Sequence, residues 1–151
     1  MKLKFLMEYS ASLRPGPEAI GTGPLGTRRI VSVLGGSFEG PRLKGKLLPT
    51  GGDWLLVDSE GVVRLDVRAT FETDDGALIY LQYTGIGRPD ATRPTRAAGE
   101  PAEYGDSYFM TTPRFETGDE RYKWLNNLVC VGEGKRVPEG VAYRFYAAVN
   151  D

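Results

Sequence analysis

Apolar and polar residues alternate with a period of two through most of this 151-residue chain, and no stretch carries a convincing amphipathic helical spacing. Lys2 to Leu13 sets Leu3, Phe5, Met7 and Tyr9 against Lys2, Lys4 and Glu8, with only Leu6 out of phase, the pattern of a half-buried strand. It ends at Arg14-Pro15-Gly16-Pro17. After the glycine-rich IGTGPLG, Thr27 to Phe38 predicts a second strand broken by Gly35-Gly36. Leu43 to Leu48 and Trp54 to Asp58 predict two short strands separated by Pro49-Thr50-Gly51-Gly52, and Ser59-Glu60-Gly61 a hairpin turn. Later strands are expected at Tyr104 to Phe115, Trp124 to Val131 and Val141 to Val149. Between them lie a turn or single helical turn at Glu116 to Tyr122 and a glycine-bracketed turn at Gly132-Glu133-Gly134.

The central hairpin fixes its own register. Val63, Leu65, Val67, Ala69 and Phe71 share one parity, and Arg64, Asp66, Arg68, Thr70 and Glu72 the other. A two-residue Asp75-Gly76 loop would set Phe71 opposite Tyr80 and mix polar with apolar side chains on both faces. A three-residue Asp74-Asp75-Gly76 loop, with Gly76 left-handed in a bulge, pairs Phe71 with Ile79, Ala69 with Leu81 and Val67 with Tyr83, keeping one face apolar. The other face gathers Asp66, Arg68, Tyr80 and Gln82, which are either outer surface or the lining of a polar lumen.

Two stretches interrupt the alternation. Leu34 to Trp54 is rich in glycine and proline, which mark bends, bulges or close approaches in strands. Gly85 to Glu103 is a long irregular connection carrying Arg88, Arg93 and Arg96, read as a mobile or oligomer-contacting loop or as a lid that meets an anionic ligand. About nine or ten short strands in one domain, residues 1–151, with 20 glycines and 10 prolines for corners, predict an all-β antiparallel meander β-barrel with little helix. Barrels of about this size hold one small ligand.

Composition narrows the chemistry. The chain has no histidine, which excludes Ser/His and Cys/His catalytic pairs and imidazole metal sites. One cysteine, Cys130 in the apolar run LVCV, excludes an intrachain disulfide and reads as a buried small hydrophobe. Nineteen basic and 20 acidic side chains give a net charge of -1, without a global field for nucleic acid or an anionic membrane. With no signal-like or membrane-spanning apolar run, the expected location is cytoplasmic. Neither a phosphate-binding loop nor a dinucleotide fingerprint is present, so no cofactor is expected, and no metal-ligand motif stands out.

The succession GGSFEGPRLKGKLLPTGGDW, then Leu65 to Glu72 followed by DDGALIYLQYTG, then YFMTTPRFETGDERYKWLN and VAYRFYAAV resembles uncharacterised protein family 0311, the bacterial domain of unknown function 3237. The resemblance runs from the first strand to the last, departs mainly in the Gly85 to Ala102 loop, and implies a lipocalin-like (calycin) barrel that is often oligomeric. It implies no activity.

Catalytic candidates are therefore carboxylates. Glu39, between Phe38 and Gly40-Pro41, and Asp53, after two glycines and beside Trp54, become useful general acids or bases if desolvated. Candidate ligand-binding residues are Glu39, Trp54, Asp66, Arg68, Tyr80 and Gln82, with Tyr108, Arg114, Glu116, Trp124 and Asn126 near the barrel mouth. The leading expectation is a homo-oligomeric barrel that binds a small, partly apolar, possibly anionic organic ligand. Its rivals are a cofactor-independent lyase, isomerase or cyclase, with Tyr80, Tyr108 or Arg68 steadying an oxyanion, and a structural oligomeric module.

Overall fold

The structure, a computed structural model, describes residues 1–89, 100 and 102–151. Nine strands follow in order: β1 (Lys2–Leu13), β2 (Glu18–Gly23), β3 (Gly26–Glu39), β4 (Lys44–Val57), β5 (Val63–Thr73), β6 (Leu78–Arg88), β7 (Tyr108–Glu116), β8 (Cys130–Val137) and β9 (Gly140–Val149). Strands β3 to β9 form an antiparallel meander, β9 pairs with β1, and β1 pairs with β3, closing an eight-stranded barrel. β2 lies outside that circuit, paired with the first part of β3. A 3-10 turn at Lys123–Asn127 is the helical content of the described residues. Among them no helix is long and apolar enough to cross a membrane.

The β5–β6 register follows the alternation, with Phe71 opposite Ile79, Ala69 opposite Leu81 and Val67 opposite Tyr83. Gly76 takes φ +90° in the turn, where the Gly76 N–H donates to Thr73 O at 2.9 Å. Leu65, Val67, Ala69 and Phe71 are buried, so the Asp66, Arg68, Tyr80 and Gln82 face is the outer one.

Elsewhere the backbone departs from simple alternation, for identifiable reasons. β1 shifts register between Phe5 and Met7, so Leu3 and Phe5 point outward (58% and 41% exposed) while Leu6, Met7 and Tyr9 point into the core. The two strands expected on either side of residues 49–52 are one strand, β4, whose register shifts between Leu47 and Gly51. Gly35-Gly36 bends β3 without ending it. Gly36 has φ +154°, and a Cβ there would come within 2.0 Å of Ser10 O on β1. β2 was not anticipated: it runs from Glu18 into the start of the IGTGPLG stretch and shows no alternation.

The strand expected at 124–131 begins instead at Cys130, after the 3-10 turn, and Gly132-Glu133-Gly134 lies inside it. Those glycines are inward positions where aromatic rings press on the backbone. A Cβ on Gly132 would sit 2.5 Å from the Phe145 ring, and one on Gly134 2.5 Å from the Phe109 ring. β7 begins at Tyr108 rather than Tyr104, and β6 continues to Arg88, so the long connection starts later than expected. Its central part, with Arg93 and Arg96, lies outside the described residues.

One end of the barrel is filled. Phe38 and Phe71 stack at 4.3 Å, and Phe115, Phe145, Met7 and Ile79 pack around them. Each such side chain fully buried contributes roughly 1.5 to 3 kcal/mol. Polar contacts cap this end. The Arg42 guanidinium lies 3.8 Å above the Trp124 ring, and Asp75 accepts from Thr73 Oγ1 at 2.6 Å and from the Tyr122 hydroxyl at 2.9 Å.

Candidate functional site

The other half of the barrel encloses a cavity of about 620 Å3. Its walls come from the later part of β1, the middle of β3, the ends of β4, β6 and β8 and the starts of β5, β7 and β9. Ala11, Leu13, Val31, Val33, Leu55 and Val63 make them largely apolar. Its floor is polar, made by Asp53, Tyr9, Tyr83 and Tyr143. Such a pocket, apolar with a few convergent polar groups, is the usual form of a small-molecule site.

Strand geometry explains how Asp53 arrives there. Between Leu47 and Gly51, β4 spends four residue steps where β5 spends two, from Phe71 to Ala69. Gly51, at φ +94°, absorbs the excess, and a Cβ there would meet Arg68 O at 2.1 Å. Register then resumes with Asp53 opposite Val67, which is opposite Tyr83 on β6. The three form a row on the inner face at one level of the barrel. The Asp66 N–H donates to Asp53 Oδ1 at 3.0 Å and anchors the carboxylate. Burial raises the Asp53 carboxyl from 3.8 to about 6, against the lowering effect of that hydrogen bond, and the Asp66 charge adds to the rise.

The phenols converge beside it. The Tyr9 and Tyr83 hydroxyls are hydrogen-bonded to each other, and Tyr83 also bonds Tyr143. The Tyr9 and Tyr143 rings stack at 5.1 Å, and Tyr83 meets Tyr143 edge-on at 5.3 Å. Burial pushes all three phenols above their usual value, and the Asp53 charge pushes Tyr9 and Tyr143 in the same direction. They are therefore neutral hydrogen-bond donors at neutral pH. Asp53 is a carboxylate that changes charge near pH 6.

Of the residues singled out from the sequence, Asp53 lies in this cavity. Trp54, its neighbour on an extended strand, faces outward, where Arg68 lies 5.6 Å from its ring. Glu39 is exposed at the far end of β3, opposite Lys44. Asp66, Arg68, Tyr80 and Gln82 share the outer face of the central hairpin with Arg114 and Glu116, which pair with Gln82 and Tyr80. Tyr108 is exposed beneath the Arg88 guanidinium, 4.1 Å away. Trp124 and Asn126 belong to the capped end, where the Asn126 side chain exchanges hydrogen bonds with the Thr117 backbone at 2.8 and 2.9 Å.

Tyr9, Tyr83 and Tyr143 were not among the candidates because each occupies an apolar-parity position and reads as core. The available signal was that a phenol on an apolar face needs a partner for its hydroxyl. Among the described residues, no three His, Cys, Asp or Glu side chains gather as metal ligands.

Comparison with known proteins places this barrel. The family described as "Protein of unknown function (DUF3237)" matches residues 1–148. The chain belongs to this family. It is 40% identical over 119 residues to the UPF0311 protein RPA1785 of Rhodopseudomonas palustris, covering 78% of this chain and 75% of that one. The crystal structure of RPA1785 superposes with a TM-score of 0.88 over 98% of this chain and 97% of that one, at 31% identity. A β-barrel-like protein of Acinetobacter baumannii gives 0.83 over 97% and 94%, at 36% identity. A relative with a named activity, the hydroalkoxylation enzyme phnH of Penicillium herquei, is 28% identical over 132 residues, covering 86% of this chain and 72% of phnH.

Proposed function

We propose that the open half of the barrel binds a small, partly apolar organic molecule and acts on it by proton transfer, as a cofactor-independent lyase, isomerase or cyclase. One observation carries this reading: a carboxyl raised to about 6 stands beside three linked, neutral phenols on the floor of an apolar cavity. At pH 7 Asp53 is about nine-tenths ionised yet remains a competent acid once protonated, the condition under which one group serves as both base and acid. The Tyr9–Tyr83 and Tyr83–Tyr143 hydrogen bonds each use one hydroxyl proton, and the one O–H left over can donate to an enolate or phenolate oxygen as charge develops.

The distant relative's name supports the same class of chemistry. Hydroalkoxylation adds an alcohol O–H across a carbon–carbon double bond. A proton leaves oxygen, the oxygen bonds to one carbon, and a proton reaches the other carbon, with no net oxidation. Asp53 takes the first proton and returns it in the last step, while the tyrosines hold the conjugated oxygen through which the alkene is polarised. The open cavity also favours a ligand-handling role over a purely structural one. We further propose that the protein acts without nucleic-acid or membrane partners, since a net charge of -1 supplies no global field for either. The exposed Leu3, Phe5, Val129 and Val131 favour a homo-oligomer.

The test is turnover of a panel of hydroxy-alkenes conjugated to a carbonyl or phenol, followed by chromatography of the cyclised products. Asp53→Asn, nearly the same shape, is expected to lower kcat/KM by about 100-fold or more while leaving product affinity within about threefold. Equal rates for the two proteins would remove Asp53 from the chemistry. Tight binding of the panel without turnover by the wild-type protein would replace catalysis with a carrier role.

A further inference from the structure

The cavity is polar at both ends, and the chemistry of its outer end specifies its ligand further. On β8, Gly132 and Gly134 face inward against Phe145, Phe109 and Tyr143, so Arg136, two residues on, has the same parity and lines the cavity at its mouth. Arg136 is opposite Val141 on β9, and Gly134 is opposite Tyr143. The guanidinium is therefore borne about 7 Å further toward the mouth than the Tyr143 level, at roughly 3.3 Å per residue. The other two cations of the lining are already engaged: Lys135 lies over the Tyr104 ring at 4.7 Å and pairs with Glu103 at 3.7 Å, and Arg88 lies over the Tyr108 ring at 4.1 Å. The mouth carboxylates face other groups, since Asp106 accepts from the Glu103 N–H at 2.9 Å. The carboxylates given in ion pairs among the described residues are partnered by cations other than Arg136.

Resting on the proposed reading of the cavity, we infer that its ligand is an elongated molecule with a carboxylate at one end, held by Arg136 at the mouth, and its reacting hydroxyl or carbonyl at the other, on the Asp53 and tyrosine floor. The guanidinium fork matches one planar carboxylate. The Asp53 charge rejects the reverse orientation, because a carboxylate on the floor would share a poorly solvated site with another anion. The apolar belt between, formed by Leu13, Val33, Leu55 and Val63, covers a hydrocarbon or aromatic middle.

Two probes of equal shape test this: 3-(4-hydroxyphenyl)propanoate and its primary amide, whose polar ends are separated by a ring and two methylenes. Calorimetric titration of the wild-type protein at pH 7 is expected to show the acid binding about tenfold tighter than the amide. Arg136→Gln abolishes that preference without weakening the amide, and Arg136→Lys retains part of it. Equal affinity of acid and amide for the wild-type protein, or a preference that survives Arg136→Gln, overturns the carboxylate assignment and leaves the cavity's binding role standing. If neither probe binds the wild-type protein, both the assignment and the proposed ligand class are overturned.

Discussion

The two halves of the barrel share the same strands yet are filled in opposite ways. Toward the capped end the inward positions are Phe38, Phe71, Phe115 and Phe145, whose rings occupy the whole cross-section. Toward the open end they are Ala11, Val31, Val33, Val63 and Leu65, too small to meet across the same diameter, and a cavity of about 620 Å3 results. The boundary is the tyrosine cluster, where Tyr9 contacts Phe71 and Phe145 below while its hydroxyl meets Tyr83. The difference shows that side-chain size along an inner face, rather than strand number alone, decides whether an eight-stranded barrel is a core or a container.

The sharpest test of this contrast removes one side chain from each half. Phe71 is 0% exposed and in ring contact with Phe38, Tyr9 and Phe115, so Phe71→Ala leaves a void among groups that cannot collapse into it. Urea unfolding is expected to show a loss of about 3 to 5 kcal/mol. Val63→Ala enlarges a space that already exists, and its expected cost is about 1 kcal/mol. Comparable losses would mean that the open half is packed as tightly as the closed one.

A second test adds a methyl group where the boundary rings meet the backbone. The Cβ of Gly134→Ala would lie 2.5 Å from the Phe109 ring and 2.8 Å from Tyr143, so the rings must shift to admit it. A cost of about 1 to 3 kcal/mol is expected, together with a changed near-ultraviolet circular dichroism signal from the displaced aromatics. Gly118→Ala, where nothing lies within 4 Å, is the matched control and is expected to change stability by less than about 0.5 kcal/mol. An unchanged Gly134→Ala spectrum and stability would show that the rings do not depend on the glycine.

The same contrast explains what was legible in the chain. The β5–β6 hairpin could be placed to the residue because a one-residue slip would turn Phe71, Ala69 and Val67 outward together. The out-of-phase Leu6 marked a real register shift. β2 left no trace because it buries none of its side chains and is held through its backbone pairing with β3. Gly132 and Gly134 imitated a turn because a glycine under an aromatic ring and a glycine in a loop look alike in one dimension. In the site, Asp53 was visible as a carboxylate set apart by glycines. Its partner phenols were hidden by their apolar parity, and Trp54 drew attention to the outer face because adjacency in sequence is opposition in a strand.

The smallest effect concerns the boundary itself. Because burial raises Asp53 from 3.8 to about 6, the folded protein binds this proton more tightly than the unfolded chain does. The sign follows: Asp53 leaves stability intact below about pH 4, lowers it as pH rises through the window from about 4 to about 6, and holds it at the reduced level above that. The full shift corresponds to at most about 3 kcal/mol, and solvent reaching the cavity mouth reduces this to about 1 to 2 kcal/mol. Asp53→Asn keeps an acceptor for the Asp66 N–H and carries no charge, so it is expected to be more stable than the wild-type protein by about 1 to 2 kcal/mol at pH 7 and equal to it at pH 3.5. Parallel denaturant titrations from pH 3.5 to 7.5 measure the difference, in which the contributions of all other carboxylates cancel. A constant difference across the range would mean that Asp53 titrates as an ordinary surface acid. A difference that opens between pH 4 and 6 would show that the floor of the cavity gives up stability to hold a proton-transfer group where the capped end, built from phenylalanine, gives up none.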